Sequence, residues 1–332
     1  MKRPDSNFGE TFSESAPGVS VVLPILNEEP YLAGSIRAIL SQEYPGPLEV
    51  ILALGPSKDK TNEIAADLAK NDPRVILVDN PSGRTAAALN RAIAKSQYSI
   101  ICRIDGHAQI QPTYIAHAVK VMRDTGAVNV GGIMAAQGVG AFERSVATAM
   151  RSPLGVGAAR FHVGGKPGPA DTVYLGVFQK AALLEAGGYD ERFTRAQDWE
   201  LNYRLRVRGG VIWFDPELVV TYRPRPNFKA LAKQYFEYGR WRRVVVRSHK
   251  GTVNFRYLAP PFAVVATLLS LILGAVLNPI FFLPAAWYLF GILIGSFVIG
   301  KDVKEKIALP AILATMHFSW GVGFITSPKN LI

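Results

Sequence analysis

The stretch Val19-Ser-Val-Val-Leu-Pro-Ile25 decides the fold of this chain. It is short, rich in β-branched residues and almost uninterrupted in its apolar character, which is typical of a strand buried on both faces of a parallel sheet. Similar runs and helical patterns alternate after it. They predict strands at 49–54, 74–78 and 99–104 and helices at 30–41, 60–70 and 84–95. Strands that alternate with helices predict an α/β sheet with right-handed crossovers.

Polar side chains follow each predicted strand at its carboxyl end. They are Asn27, Glu28, Ser57, Asp59, Arg84, Asp105 and His107. Ligands of open α/β sheets bind outside the carboxyl ends of the strands, so we expect these side chains to line one binding edge. The sequence has no GxGxxG after the first strand and no GxxxxGK[ST], and it therefore predicts neither a dinucleotide site nor a P-loop.

The composition excludes several classes of protein. The chain has 332 residues, a formal net charge of +11 and a mean hydropathy of +0.15. That apolar content excludes a disordered chain. The single cysteine, Cys102, excludes an intramolecular disulfide scaffold and a Cys-rich zinc site. Residues 1–17 are polar and predict a flexible N-terminus without the apolar core of a cleavable signal peptide.

The C-terminal part of the chain predicts membrane helices. No charged residue occurs between residues 257 and 300, and this length accommodates two helices of about 20 residues. Asn278-Pro279 divides the run into a hairpin of 258–277 and 280–300. A charged loop at 301–306 follows, and a third apolar stretch at 307–326 spans the membrane or lies re-entrant. We predict a transmembrane region at 257–327 with about three helices.

A strongly basic segment precedes the membrane region. Residues 223–256 contain ten Lys or Arg and one acid, Glu237. Apolar side chains recur every three or four positions, so residues 227–256 predict an amphipathic, cationic helix at the membrane interface. Basic residues beside a membrane entry mark the cytoplasmic side and attract membrane lipids. We therefore predict a multi-pass protein of the plasma (inner) membrane with a cytoplasmic catalytic domain, and no nucleic-acid partner.

Several motifs occur in a characteristic order. They are VVLPILNE at 21–28, SKDKT at 57–61, Asn80 with Gly83-Arg84 and Ala88-Leu-Asn90, IDGH at 104–107, GGYDE at 187–191 and AQDWELNYR at 196–204. This series, spread over residues 18–326, resembles the inverting GT-A glycosyltransferases of family 2, and most of all those of succinoglycan-type exopolysaccharide assembly. The resemblance implies an α/β GT-A (Rossmann-like nucleotide-sugar-binding) domain at 18–226, followed by the C-terminal transmembrane helices.

The resemblance also implies a set of site residues. Asp105 and His107 stand where the family has its Asp-x-Asp motif, which implies a divalent metal, Mn²⁺ or Mg²⁺. Imidazole suits Mn²⁺ better than Mg²⁺. Asp198 matches the second acid of the family's Glu-Asp pair and is the expected general base, with Gln197 in place of the first acid. The donor site implied by the motifs comprises Pro24, Asn27, Glu28, Ser57, Asp59, Arg84, Asp105, Arg240 and Trp241.

The function implied by the resemblance is transfer of a sugar to a lipid-linked glycan. The donor is a nucleotide sugar, with a UDP-sugar the expected species and a hexose such as glucose the expected group. The acceptor is a polyprenyl-linked glycan of exopolysaccharide biosynthesis. The family commonly has Asp-Asp-Gly-Ser after the second strand, where this chain has Leu54-Gly-Pro-Ser57. Two alternatives stay open: a polyprenyl-phosphate sugar synthase, and a catalytically idle membrane assembly subunit.

Overall fold

The computed structural model describes residues 16–332, so almost all of the predicted flexible segment 1–17 lies outside the described residues. The strands are β1 (Val19–Ile25), β2 (Leu48–Leu54), β3 (Val75–Asp79), β4 (Ile100–Arg103), β5 (Gln109–Ile110), β6 (Asn129–Ala136), β7 (Gly168–Pro169), β8 (Tyr174–Gln179) and β9 (Ile212–Tyr222). The helices are α1 (Leu32–Leu40), α2 (Thr61–Asn71), α3 (Thr85–Lys95), α4 (Tyr114–Thr125), α5 (Ala141–Met150), α6 (Pro153–Val156), α7 (Arg160–Val163), α8 (Lys180–Glu185), α9 (Gln197–Val207), α10 (Phe228–Ser248), α11 (Phe255–Val276), α12 (Leu283–Ile299) and α13 (Val303–Thr326), and a 3₁₀ turn, Pro279–Phe282, precedes α12.

One mixed sheet organises the strands, in the order β3-β2-β1-β4-β8-β6-β9-β5, with β7 paired to β9. Strand β1 lies inside the sheet and pairs in parallel with β2 on one side and β4 on the other. Strand β8 then pairs antiparallel to β4. The predicted α/β fold is confirmed, and β1 has the bounds expected from its sequence. The other predicted strands and helices of residues 30–104 lie within two residues of their observed bounds.

The middle of the sheet is buried because β1 is almost entirely apolar on both faces. Alternate residues of β1, such as Val21 and Leu23, pack in the main core together with Val50 and Leu52 of β2. The other face of β1, at Val22, is also fully buried. A strand with no polar face cannot occupy a sheet edge, which explains its inner position. The carboxyl ends of β1, β2, β3 and β4 consequently share one edge.

The chain divides into two compact units. The first unit contains the described residues up to Met134 together with Gly164–Thr221, and the second contains Ala135–Val163 together with Tyr222–Ile332. The first unit holds most of the sheet. The second holds the short helices that follow β6 and all helices from α10 onward. The division into domains at 18–226, 227–256 and 257–327 stays a prediction.

Helix α10 begins at an Asn227 cap, whose side chain accepts from the N–H of Ala230 at 2.9 Å. Its apolar face, which includes Leu231 and Val245, is buried in the second unit. A Cβ added at Gly239 would collide with the carbonyl of Trp320 in α13. The α10 and α13 backbones thus touch, and the apolar face of the amphipathic helix packs on α13.

Three segments are long and apolar enough to cross a membrane: Phe255–Val276, Pro279–Ile299 and Val303–Thr326. Their mean hydropathies over an 18-residue window are 2.1, 2.0 and 1.4. The first two are mostly exposed, whereas the third is the most buried of the three. The predicted charged loop at 301–306 is wrong in extent, because α13 begins at Val303. Asp302 caps this helix and accepts from the Glu305 N–H at 2.8 Å.

Candidate active site

A buried arginine connects the two most important predicted carboxylates. Arg103 ends β4, and its side chain is 5% exposed. Its Nη2 lies 3.2 Å from Asp105 Oδ1, and its Nη1 pairs with Asp198 Oδ1. The two aspartates are 22% and 28% exposed. The structure therefore brings Asp105 and Asp198 together on one guanidinium, although 92 residues separate them in the chain.

The charge of Arg103 is stable in this environment. Burial alone would lower the pKa of its guanidinium, but attraction to Asp105 and to Tyr189 outweighs burial and raises that pKa above its ordinary value. The guanidinium carbon lies 5.8 Å from the centre of the Tyr189 ring. Burial also raises the pKa of the Tyr189 hydroxyl. Arg103 thus supplies a permanent positive charge to the floor of the site.

The turn after β4 packs directly against the end of β1. A Cβ at Gly106 would lie 2.9 Å from Glu28 Cγ and 2.9 Å from Ile25 Cδ1, so a larger residue here would displace these side chains. His107 Nδ1 lies 2.8 Å from Glu28 Oε1. Glu28, predicted for the donor site, therefore orients the imidazole of His107.

The side chains present could supply one or two protein ligands to a metal ion whose other ligands are phosphate oxygens and water. Within residues 16–332, no group of three or more His, Cys, Asp or Glu side chains is arranged to hold an ion. Mg²⁺-type sites often take one or two protein ligands and complete their shell with water and phosphate oxygens. Asp105 supplies a carboxylate and His107 an imidazole whose Nδ1 is held by Glu28, an arrangement common around metal-bound histidines. The residues present therefore fit a divalent ion shared with a diphosphate.

The loops after β1 and β2 are joined by side chains predicted to bind the donor. Asn27 has a positive φ of 55°. Its N–H donates to Ser57 Oγ at 3.0 Å, and its Oδ1 accepts from the Lys58 N–H at 2.8 Å. These bonds hold the two loops in a fixed relation at the carboxyl edge of the sheet.

Asp59 belongs to the same junction. Its Oδ1 accepts from Thr61 Oγ1 at 2.5 Å, and this bond contributes most to the lowered pKa of the Asp59 carboxyl. Thr61 Oγ1 in turn accepts from the Glu28 N–H at 2.7 Å. Both Ser57 and Asp59 thus have local structural bonds that fix the shape of the edge.

The remaining predicted donor residues lie in different settings. Pro24 is half-buried in β1, and Arg84 is exposed immediately before α3. Arg240 and Trp241 belong to α10 in the second unit. Arg240 pairs with Glu237 at 2.9 Å, and Trp241 is buried. Their role toward a donor stays a prediction.

Helix α9 carries the predicted base. Ala196 precedes it in the left-handed conformation, with φ of 60°, and Asp198 is the second residue of the helix. Asp198 therefore lies in the first turn of the helix. Its Oδ1 bonds to Arg103, and within the described residues its Oδ2 makes no hydrogen bond. The free oxygen of a carboxylate that is otherwise held in place is well suited to accept a proton.

The motif around residues 187–191 is held by two side chains. Asn90 accepts from the Tyr189 N–H and donates to its carbonyl, both at 2.8 Å. Arg204 donates to the Gly188 carbonyl at 2.7 Å and pairs with Glu200 through two bonds of 2.7 Å. The Glu200–Arg204 pair lies along helix α9, and its arginine also anchors this loop.

Sequence reasoning missed Arg103 and the anchoring role of Asn90. A signal for Arg103 exists, since it is the one charged residue in the apolar run Ser99-Ile-Ile-Cys-Arg-Ile104. A charged side chain buried in a strand requires an oppositely charged partner, so Arg103 indicates that carboxylates lie close to the end of β4. Asn90 was visible only as part of a motif, because its bonds reach about 100 residues along the chain.

Comparison with known proteins defines the class. The family model described as glycosyl transferase family 2 matches residues 20–184. The succinoglycan biosynthesis protein ExoA of Rhizobium meliloti (strain 1021) is 32% identical over 312 residues, which cover 92% of this chain and 93% of that protein. The chain belongs to glycosyl transferase family 2, and it is a glycosyltransferase.

Two further proteins extend the comparison. A dolichyl N-acetyl-α-D-glucosaminyl phosphate 3-β-D-2,3-diacetamido-2,3-dideoxy-β-D-glucuronosyltransferase of Methanococcus voltae is 26% identical, over 95% of this chain and 97% of that protein. The mannosyltransferase PcManGT of Pyrobaculum calidifontis, solved with GDP-Man and Mn²⁺, superimposes with a TM-score of 0.59 at 18% identity, covering 96% of this chain and 91% of that chain. The GT-A fold is thereby confirmed.

Proposed function

We propose that this protein is a membrane-bound inverting glycosyltransferase that moves a hexose from a nucleotide sugar to a polyprenyl-linked glycan. Its products belong to exopolysaccharide or cell-surface polysaccharide assembly. The Rhizobium meliloti relative is named for succinoglycan biosynthesis, and the Methanococcus voltae relative is named for a dolichyl phosphate-linked sugar. The first name supports polysaccharide assembly, and the second supports a lipid-linked acceptor.

One observation carries the proposal: Asp105 and Asp198 are held on the same buried guanidinium. Inversion is a single displacement, so the group that stabilises the departing diphosphate and the group that receives the acceptor proton must lie close together. The two carboxylates bridged by Arg103 supply these two groups: Asp105 on the side of the diphosphate and Asp198 on the side of the acceptor hydroxyl.

In this mechanism Asp198 acts through its free oxygen. Arg103 holds Oδ1 and fixes the plane of the carboxylate, while Oδ2 takes the proton of the acceptor hydroxyl as it attacks the sugar carbon. Asp105 and His107 would hold the metal, with Glu28 fixing the His107 ring. When bound, that ion neutralises the charge that develops on the diphosphate. Arg84, exposed beside the same edge, would add a cation for the phosphates.

The proposed location is the inner membrane, with the first unit in the cytoplasm. The basic segment 223–256 and the apolar hairpin α11–α12 support this orientation, because basic residues flank membrane entry on the cytoplasmic side. Nucleotide sugars are cytoplasmic metabolites, so the donor meets the enzyme there. A UDP-sugar is the proposed donor.

A transfer assay with the full chain in membranes tests the base. We expect Asp198→Asn to lower kcat by about 100-fold or more, the usual contribution of a general base, while donor binding persists. Asp171→Asn is the matched control, since Asp171 is an exposed carboxylate of the same unit. Equal activity of Asp198→Asn and wild type would exclude this assignment.

The same assay identifies donor, metal and acceptor. Labelled UDP-hexoses and GDP-hexoses are compared, with Mn²⁺ or Mg²⁺, and we expect a higher Mn²⁺ requirement in His107→Ala. The acceptor is supplied either as polyprenyl-diphosphate-sugar or as polyprenyl phosphate. Transfer to polyprenyl phosphate alone would replace our proposal by a polyprenyl-phosphate sugar synthase.

A further inference from the structure

The second unit contains a cavity that is lined by none of the residues proposed for sugar transfer. Its volume is about 360 Å³, and it lies between α5 and the segment that begins α13. Three cations line it: Arg144 and Arg151 from α5 and its end, and Lys301 from the connection between α12 and α13. Arg144 and Arg151 are seven residues apart, which places them on the same side of the helix.

Two acids also line the cavity, and both are engaged by α13. Asp302 caps the helix through the Glu305 N–H. Glu305 is buried and accepts from the Lys301 N–H at 3.0 Å and from Thr148 Oγ1 at 3.1 Å. Both carboxylates sit at the N-terminus of a 24-residue helix, whose dipole balances part of their charge. The three cations then leave the cavity positive.

The cavity lies at the foot of the apolar hairpin. Helix α11 begins at Phe255 and α12 ends at Ile299, so a hairpin that crosses the membrane has both of these ends at the same membrane surface. Lys301 follows two residues after Ile299. The exposed side chains of the hairpin, such as Phe262 (72%) and Val298 (78%), require lipid around them. Lys301 therefore lies at the level of lipid headgroups.

We propose that this cavity binds the phosphate group of a membrane lipid. Its volume accommodates a headgroup phosphate, its three cations match the charge, and its position gives a lipid direct access from the bilayer. The acyl or prenyl chains would remain beside α12. The shared chemistry is a lipid phosphate, carried either by an anionic phospholipid or by a polyprenyl phosphate.

Native mass spectrometry of the full chain in mild detergent tests the proposal. Phosphatidylglycerol and polyprenyl phosphate are titrated in separate arms, and inorganic phosphate forms a third. We expect one retained lipid per chain at saturation. Arg151→Gln and Lys301→Gln should each weaken retention about five-fold, since a cation near the membrane surface contributes about that factor. The arm with tighter retention identifies the source of the phosphate.

Lys304→Gln is the matched control. Lys304 carries the same charge at the same end of α13 and is exposed, but it does not line the cavity. Retention equal to wild type is expected. If Lys304→Gln weakens retention as much as Lys301→Gln, diffuse surface charge explains the binding and the proposal fails. Binding of inorganic phosphate without any retained lipid would also overturn it.

The test is independent of sugar transfer, because no donor is present in the titration. Asp198→Asn should retain the lipid as wild type does. Loss of lipid binding in Lys301→Gln with intact retention in Asp198→Asn separates this cavity from the proposed active site. Thermal unfolding of each variant confirms that the exposed substitutions leave the fold intact.

Discussion

Arg103 has an unusual position for a charged residue, at the end of a buried strand between two carboxylates. A buried ion pair gains little over apolar packing, but removal of one partner leaves the other charges uncompensated. Two half-buried aspartates without Arg103 would repel each other at close range. The arginine thus makes it possible to keep two acidic side chains together before any metal or substrate arrives.

Arg103→Gln should therefore lower both stability and activity. We expect a loss of about 3 kcal/mol in the free energy of unfolding, the scale observed when one member of a buried ion pair is removed. Denaturant unfolding in detergent measures this loss, and the transfer assay measures kcat. The control is Arg208→Gln at the exposed end of α9, which should change neither quantity. A stable, active Arg103→Gln protein would contradict the bridging role.

Asn90 acts at the same scale on the loop that precedes α9. Asn90→Ala removes two bonds to Tyr189 and one to Glu191 Oε1. We expect a destabilisation of about 1–3 kcal/mol and faster amide hydrogen exchange over residues 187–191. Asn62→Ala, which loses a single bond to the Gly55 carbonyl, should have a smaller effect. Unchanged exchange at 187–191 would show that Asn90 does not hold the loop.

At the scale of elements, the packing of α10 on α13 depends on glycine. A Cβ at Gly323 would collide with the backbone of Phe236, so the two helices touch through their main chains. Such close contact fixes α10 against α13 more tightly than side-chain packing would. The basic helix is therefore a rigid part of the second unit.

Gly323→Ala should destabilise the protein by about 1–3 kcal/mol through overpacking. Gly291→Ala is its matched control, because Gly291 lies within α12 and an added Cβ there meets no atom within 4 Å. The control should be neutral or gain up to about 1 kcal/mol from helix propensity. The melting temperatures of the two variants and of the wild type are measured in the same detergent. Equal melting temperatures for the two variants would contradict the contact.

The short helix α7 should make stability depend on pH. Burial lowers the pKa of His162 to about 3, and its Nδ1 has no hydrogen-bond partner among the described residues. Below pH 6.5 the unfolded chain binds a proton that the folded chain does not, so stability is complete above pH 6.5 and falls as pH decreases toward 3. We expect a loss of up to about 1.4 kcal/mol per pH unit. His162→Gln should flatten this part of the stability profile, and an unchanged slope would assign it to other groups.

The bounds of an element are predictable from the sequence where they depend on its own residues, and they are not where they depend on partners elsewhere in the chain. Strand β1 was predicted with correct bounds, because burial on both faces is recorded in its own residues. The start of α13 is not evident in the same way, because Lys304 and Lys306 favour a charged loop at this position. Asp302 instead caps the helix by accepting from the Glu305 N–H, and the Glu305 side chain accepts from the Lys301 N–H, so charged residues are accommodated in the first turn. The link between Arg103 and Asp198 was also out of reach, because the partners are 95 residues apart.

For the whole molecule, the orientation in the membrane is open to direct measurement. Cys102 is fully buried, and burial raises the pKa of its thiol to about 12, so the wild-type chain should not react with maleimides. In intact cells, Asn278→Cys at the tip of the hairpin should react with an impermeant reagent from outside. Lys304→Cys should react only after the cells are opened. Labelling of Lys304→Cys in intact cells would reverse the proposed topology.

The division of the chain has a consequence for biogenesis. Residues 135–163 belong to the second unit, yet the rest of that unit begins only at Tyr222. During synthesis, residues 135–163 leave the ribosome before the helices that they pack against. One of these helices is α13, in which Glu305 accepts a hydrogen bond from Thr148. A truncated version cut before residue 222 would carry the segment permanently without its companions. Expression trials that aim for a soluble catalytic fragment should therefore remove or redesign residues 135–163 as well.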